Sequence, residues 1–212
     1  MTMAHANTAL PELGAIEVRG FTRGAFIVRG AFAAGAVYGA GTVGPFVSQA
    51  LAQGSDSSGD VNILNFALTL EYLEAEFYRR ALELDLSPDV RALAATLGTH
   101  ERDHVAALRE TIDAADGTAT EKPKVSFPIK DERSFLELAQ TLEETGLSAY
   151  NGAATSIESR EVLAAAGQIA QIEARHAADI RIARGVTPAP KVFDDSLQME
   201  QVLEAVQPFL KS

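Results

Sequence analysis

The 212-residue chain contains no cysteine. That absence excludes disulfides, zinc ribbons, iron–sulfur clusters, thioether-attached haem and thiol catalysis. It leaves the compartment open, because an exported protein can lack disulfides. Positive charge is scarce as well: Lys and Arg number 18 against 29 acidic residues, for a formal net charge of -11 and a pI near 4.8. A surface of that sign argues against nucleic acid as a partner and against non-specific binding to anionic lipid headgroups. Glycine and proline, at 16 and 8, are too few for a disordered or fibrous chain. With 47% hydrophobic residues, the length suits one domain with a sizeable core.

Charge is also missing between Gly30 and Ser55, a run rich in Ala and Gly that includes Pro45. Ahead of it stand a polar stretch and the basic residues Arg19, Arg23 and Arg29, and it closes on Ala50-Leu51-Ala52, a small-x-small pattern like that of signal-peptidase sites. This order predicts that residues 1–52 are an export signal. Thr22-Arg23-Gly24-Ala25-Phe26-Ile27 resembles a twin-arginine motif with Gly24 in place of the second arginine. Two other readings stand beside it. The run exceeds the roughly 18 residues needed for a membrane span, so residues 25–52 also read as an uncleaved membrane anchor. They read equally as an arm packed on the domain or on a neighbouring subunit of a homo-oligomer. The expectation is an exported protein (periplasm, cell envelope or extracellular), with a cytoplasmic one as the alternative.

Beyond Ser58 the apolar spacing is helical almost throughout. It predicts an all-α domain over residues 53–185, with a tail over 186–212. Helix 1 runs from Asp60, read as its N-cap, to about Leu84. Helix 2 opens at Ser87-Pro88 and runs to about Ala115. Helix 3 runs from Asp131 to about Ile157, and helix 4 from about Arg160 to Gly185, a natural helix-ending residue. Short links force two antiparallel hairpins. The linker containing Pro123 and Pro128 is long enough to travel the length of a bundle. The prediction is a four-helix bundle with one long crossover and a short C-terminal helix, capped by Asp195, whose stripe Met199, Val202, Leu203 and Val206 packs back on the bundle.

Heptad spacing shows what fills the seam. Helix 2 places Val90, Ala94, Leu97, Glu101, His104 and Leu108 on one stripe, and helix 4 places Val162, Ala166, Ile169, Glu173, His176 and Ile180 on the equivalent one. Helix 1 gives Leu64, Ala67, Glu71, Glu74, Tyr78 and Ala81; helix 3 gives Leu136, Ala139, Glu143, Gly146, Tyr150 and Ala153. Both halves read E-x6-Y-x22-E-x2-H, with 30 residues from Glu71 to Glu101 and 30 from Glu143 to Glu173. At 1.5 Å per residue, each pair of glutamates lies roughly 22 Å either side of its hairpin turn. Four glutamates and two histidines therefore converge at one level of the core. Uncompensated carboxylates there would cost several kcal/mol each, and two divalent cations neutralise four of them. Such a donor set suits iron or manganese, so the expected cofactor is two Fe or two Mn ions. One Glu from each of two helices, with a Glu-x-x-His from each of the others, is the pattern of di-iron and di-manganese carboxylate bundles.

Leu70–Tyr78, Thr99–Leu108, Leu142–Tyr150 and Ile172–Arg181 carry a resemblance to the ferritin-like superfamily. Within it the chain resembles bacterial ferritin-like domain proteins, often exported, related to desiccation-associated proteins. The resemblance covers about residues 60–185 and implies metal ligands at Glu71, Glu101, His104, Glu143, Glu173 and His176. It also implies that Glu101 and either Glu143 or Glu173 bridge the two ions. Relatives include ferroxidases, rubrerythrins and manganese catalases; the lack of cysteine removes the rubredoxin centre of a complete rubrerythrin. Glu74 lies on the seam, its counterpart in the second half is Gly146, and it reads as an extra carboxylate at the site or as a hydrogen-bonded or exposed group. Tyr78 and Tyr150 read as core tyrosines able to orient a ligating carboxylate. His100 reads as a neighbour of the site or a surface residue, and Glu76 and Glu144 as solvated. The implied activity is that of a dinuclear oxidoreductase acting on O2 or H2O2. Peroxide dismutation by manganese, and a non-catalytic metal-binding protein of the envelope, are the alternatives.

Overall fold

The computed structural model describes residues 59–211; the three readings of residues 1–52 lie outside them. Five α-helices follow in order: α1 Gly59–Ala81, α2 Pro88–Ala114, α3 Glu132–Ala153, α4 Arg160–Ala183 and α5 Met199–Val206, with a 3-10 turn at Gln207–Phe209. Among the described residues there is no strand beyond an isolated bridge between Val125 and Leu210. None of the described helices is long and apolar enough to cross a membrane. α1 pairs most closely with α2, and α3 with α4, giving the two hairpins that the short links predict.

Local chemistry sets the helix ends. Pro88 occupies the first turn of α2, but the Ser87 side chain makes no cap bond. Its backbone N–H donates instead to Glu132 Oε2 at 2.6 Å, tying the first hairpin turn to the start of α3. Arg91 donates to the carbonyls of Leu82 and Leu84 at 2.9 and 2.6 Å, which ends α1 at Ala81 rather than at Leu84. Asp131 caps α3: it accepts from the Ser134 N–H at 2.8 Å while Ser134 Oγ accepts from the Asp131 N–H at 3.1 Å. α4 stops at a left-handed glycine, Gly185, with φ 71°; the N–H groups of Gly185 and Val186 reach back to Ile182 and Arg181.

Two expected caps are used differently. Asp60 sits inside the first turn of α1, and its carboxylate accepts the N–H groups of Glu158 and Ser159 at 2.8 and 2.7 Å. It therefore fastens one hairpin to the other, and α3 ends at Ala153 so that this loop can reach it. Asp195 does not cap the last helix. It pairs with Lys191 at 2.5 Å, and α5 begins at Met199, where the Gln198 N–H donates to Gln201 Oε1 at 2.9 Å and the Gln201 N–H to the Gln198 carbonyl at 3.0 Å.

The crossover between α2 and α3 runs along α1. The Asn65 side chain donates to the Thr118 carbonyl and accepts from the Thr120 N–H, at 2.9 and 2.7 Å. Three turns further on, Lys122 meets Glu76 at 2.9 Å. The crossover then pairs with the end of the chain, Ser126 N–H to the Phe209 carbonyl and Lys211 N–H to the Lys124 carbonyl, both at 2.8 Å.

Every seam position named above is buried except Ala153, which is half-buried. The apolar seam residues form two clusters. One, with Phe77, Leu97, Phe135, Leu142 and Ile180, also takes in Val202, Leu203 and Val206 of α5. The other gathers Val61, Leu64, Leu68, Leu108, Ile112, Val162 and Ile169. Along each of α1 to α4 the glutamates fall between these two stretches, so an acidic layer lies between apolar plugs.

Candidate metal centre

α1 supplies Glu71 to the layer, α2 Glu101 and His104, α3 Glu143, and α4 Glu173 and His176. All four carboxylates are 0% exposed, His104 8% and His176 2%. Glu71, Glu101, His104 and Glu173 each offer one ligand atom within 4.8 Å of the others, and so do Glu101, Glu143, Glu173 and His176. Glu101 and Glu173 belong to both groups. His104 Nδ1 lies 3.2 Å from Glu71 Oε2, 3.3 Å from Glu101 Oε2 and 3.2 Å from Glu173 Oε1. His176 Nδ1 lies 2.9 Å from Glu101 Oε1, 3.3 Å from Glu143 Oε2 and 3.8 Å from Glu173 Oε1.

His104 Nδ1 pairs with Glu71 Oε2 and Glu101 Oε2, but the imidazoles leave the other inward oxygens of the layer unpaired. Glu101 Oε1, Glu143 Oε2, both Glu173 oxygens and His176 Nδ1 are buried with no hydrogen-bond partner, although His176 Nδ1 and Glu101 Oε1 are close. Native proteins leave few buried polar atoms orphaned, and each such atom needs an explanation. Here the orphaned atoms belong to one cluster and converge on shared space instead of aligning with each other. Cations placed in that space satisfy all of them, so the donor set fits metal ions.

The outer pair of carboxylates is held by tyrosines from the opposite hairpin. Tyr78 of α1 donates to Glu143 Oε1 on α3, and Tyr150 of α3 donates to Glu71 Oε1 on α1 at 2.5 Å. Tyr78 is wedged by Phe77 and Phe135, with ring centroids 5.3 and 6.0 Å away. Tyr150 also lines an apolar cavity of about 20 Å³ with Leu64, Leu70, Leu108 and Ala166, space for one water-sized molecule. On the far side of His176, Nε2 meets His100 Nδ1 at 2.9 Å, and the two rings stack. His100 is half-buried, so it is both a neighbour of the site and a surface residue.

Burial and mutual repulsion dominate the protonation of the layer. Burial, with the charges of Glu101 and Glu71, holds Glu173 well above the usual carboxylate range. Glu101 is pushed up to about 7 by burial, against the opposing pull of His104 and His176. Burial also raises Glu71, but His104, Glu101 and Tyr150 outweigh it and leave its carboxyl below the usual value. Burial disfavours the charged imidazoles too, yet their surrounding carboxylates raise His104 to about 12 and His176 to about 10. Burial and then Glu143 raise Tyr78, as burial and then Glu71 raise Tyr150, so both remain hydrogen-bond donors.

Glu76 departs from the solvated reading. It is 8% exposed and takes Arg79, Arg80 and Lys122 at 2.8, 2.9 and 2.9 Å. Two of those cations stand three and four residues on, a signal present in the sequence; Lys122 is distant in the chain. Glu144 is half-buried and pairs with Arg181 at 2.9 Å. Glu74, by contrast, is fully inside the layer at 2% exposure.

In structure the chain is similar to a conserved hypothetical protein from Mycobacterium tuberculosis at 21% identity, covering 64% of this chain and 97% of that one with a TM-score of 0.57. That likeness carries the fold. No curated protein matches the sequence. The family described as "Ferritin-like domain" matches residues 59–186, the four helices with their crossover and the whole acidic layer. The chain therefore belongs to the ferritin-like domain family, and its buried carboxylate and histidine cluster can hold metal ions.

Proposed function

We propose that the layer is a dinuclear iron or manganese centre and that the protein is an oxidoreductase acting on O2 or H2O2. One observation carries the reading: two buried four-residue groups overlap in Glu101 and Glu173, and five of their atoms have no hydrogen-bond partner. In this reading Glu71 and His104 would hold one ion and Glu143 and His176 the other, with Glu101 and Glu173 available to both. Oxygen and imidazole donors without sulfur favour iron or manganese. When bound, such a pair would supply two-electron redox chemistry towards O2 or H2O2.

The chain's own contribution is position and shelter. Tyr78 and Tyr150 each fix one oxygen of an outer carboxylate, leaving the other to face the site. His100 holds Nε2 of His176, which turns Nδ1 inward. The two apolar clusters keep bulk water from both ends of the layer.

Elemental analysis of protein purified without added metal or chelator is the test. About two iron or manganese ions per chain are expected. The dominant element then directs the assay, to O2 and peroxide consumption for iron or to dismutation of peroxide into O2 and water for manganese. Near-zero metal, with no uptake of anaerobic Fe(II) or of Mn(II), would overturn the reading. Full loading without turnover would leave a non-catalytic metal-binding protein.

A further inference from the structure

Among the described residues, the buried side-chain atoms without a hydrogen-bond partner number six; five belong to the cluster above, and the sixth is Glu74 Oε2. Glu74 stands three residues after Glu71 on α1, hence on the same face. It is 2% exposed and has no counterpart in the second half of the molecule, where the equivalent position on α3 is Gly146. That glycine is what makes room for it. A Cβ built on Gly146 would fall 3.0 Å from Glu74 Oε1 and 3.4 Å from Glu173 Oε2. The carboxylates of α1 and α4 thus meet in the gap that the missing side chain of α3 leaves. A helix-interior glycine costs about 1 kcal/mol relative to alanine, so the gap carries a cost in stability.

We propose that Glu74 is a seventh protein donor to the dinuclear centre, entering from the side that Gly146 leaves open. The inference rests on the dinuclear reading and deepens it. Glu74 shares with Glu101, Glu143 and Glu173 full burial and an orphaned oxygen, and Glu173 stands beside it across the Gly146 gap. The Glu74 oxygens lie outside the two groups of four, on the side of the layer beyond Glu173 where Gly146 carries no side chain. A fifth carboxylate also changes the charge balance. Two divalent ions match four carboxylates, and a fifth favours the more highly charged, oxidised pair. It makes the two ions inequivalent as well, because only one hairpin provides it.

The test uses the full chain and variants Glu74→Gln, which keeps the shape, and Gly146→Ala, whose methyl presses on Glu74 Oε1 at 3.0 Å and makes that carboxylate give by a few tenths of an ångström. Titration with Mn(II), and the visible absorption of Co(II)-loaded protein, are read beside far-UV circular dichroism. In Glu74→Gln one of the two ions is expected to bind about tenfold or more weakly, with a changed Co(II) absorption intensity and an unchanged helical spectrum. Gly146→Ala is expected to weaken the same ion despite its better helix propensity, and it carries the test should Glu74→Gln not fold. Wild-type affinities and an unchanged Co(II) spectrum in both variants would overturn the proposal while leaving the dinuclear reading intact. A wild-type chain that takes up neither Mn(II) nor Co(II) would overturn both.

Discussion

A carboxylate shut away from water needs a counter-charge, and Glu76 and Glu173 meet that need in opposite ways. Glu76 collects Arg79, Arg80 and Lys122, and first the Arg79 bond, then Lys122 and Arg80, carry its carboxyl well below the usual range despite partial burial. Glu173 has only imidazoles and other carboxylates around it, and both its oxygens are orphaned. Depression of the Glu76 pKa in the fold means that its stabilisation is fully present above the unfolded value near 4.5 and is lost as pH falls below it. Glu76→Gln should therefore cost about 1–2 kcal/mol at neutral pH, and its deficit against wild type should begin to shrink below pH 4.5, being smaller at pH 3 than at pH 7 without vanishing there. Urea unfolding of both proteins at the two pH values checks this; a deficit that stays constant with pH would show that shape, not charge, matters at this position. In the sequence Glu76 looks solvated because it lies off the seam. Two of its three partners, Arg79 and Arg80, are legible there as neighbours one turn on, while Lys122 becomes a neighbour only once the crossover lies along α1.

At the scale of helices, what was legible is what depends on a rigid repeat. The E-x6-Y-x22-E-x2-H pattern brings Glu71, Glu101, Glu143 and Glu173 to one level because helices have a fixed rise and both hairpin turns are short. Tyrosine follows from the same register: seven residues beyond each outer glutamate, it reaches the glutamate of the other hairpin. Caps were less legible, because a cap's partner comes from wherever the chain returns. Asp60 serves the loop before α4, and Asp195 is engaged by Lys191 and, through its carbonyl, by Asn151 at 3.1 Å. The tail depends likewise on a contact that periodicity does not encode. Leu197 N–H donates to the Ser148 carbonyl at 3.0 Å, and a Cβ on Gly152 would stand 1.8 Å from the Leu197 carbonyl oxygen. Backbone cannot yield as a side-chain end does, so Gly152→Ala should lift the tail from α3 at a cost of about 1–3 kcal/mol. Limited proteolysis should then cut between α4 and α5 at least several-fold faster, with metal content per chain unchanged. Wild-type resistance to the protease would mean that the tail docks without this close approach.

For the whole molecule the acidic layer is a weak plane in an otherwise apolar core, and what fills it sets the stability of the fold. Without metal, protons fill it. His104 and His176, raised to about 12 and about 10 by their carboxylates, are charged in the fold at neutral pH. A raised pKa gives stabilisation that is complete below the unfolded value of 6.5 and is lost as pH climbs through the folded values. Metal needs those same nitrogens deprotonated, so binding releases protons and strengthens as pH rises. The two fillings thus have opposite pH dependence. Each ion at a hundredfold excess over its Kd contributes about 2.7 kcal/mol, so two should raise Tm by about 10–20 °C for a domain of this size. Melting curves with and without excess Mn(II) between about pH 6 and pH 8 should show this increment growing with pH, and chelation should erase it at every pH. An increment that is flat or falls with rising pH would mean that the ions bind elsewhere and that the imidazoles of the layer keep their protons.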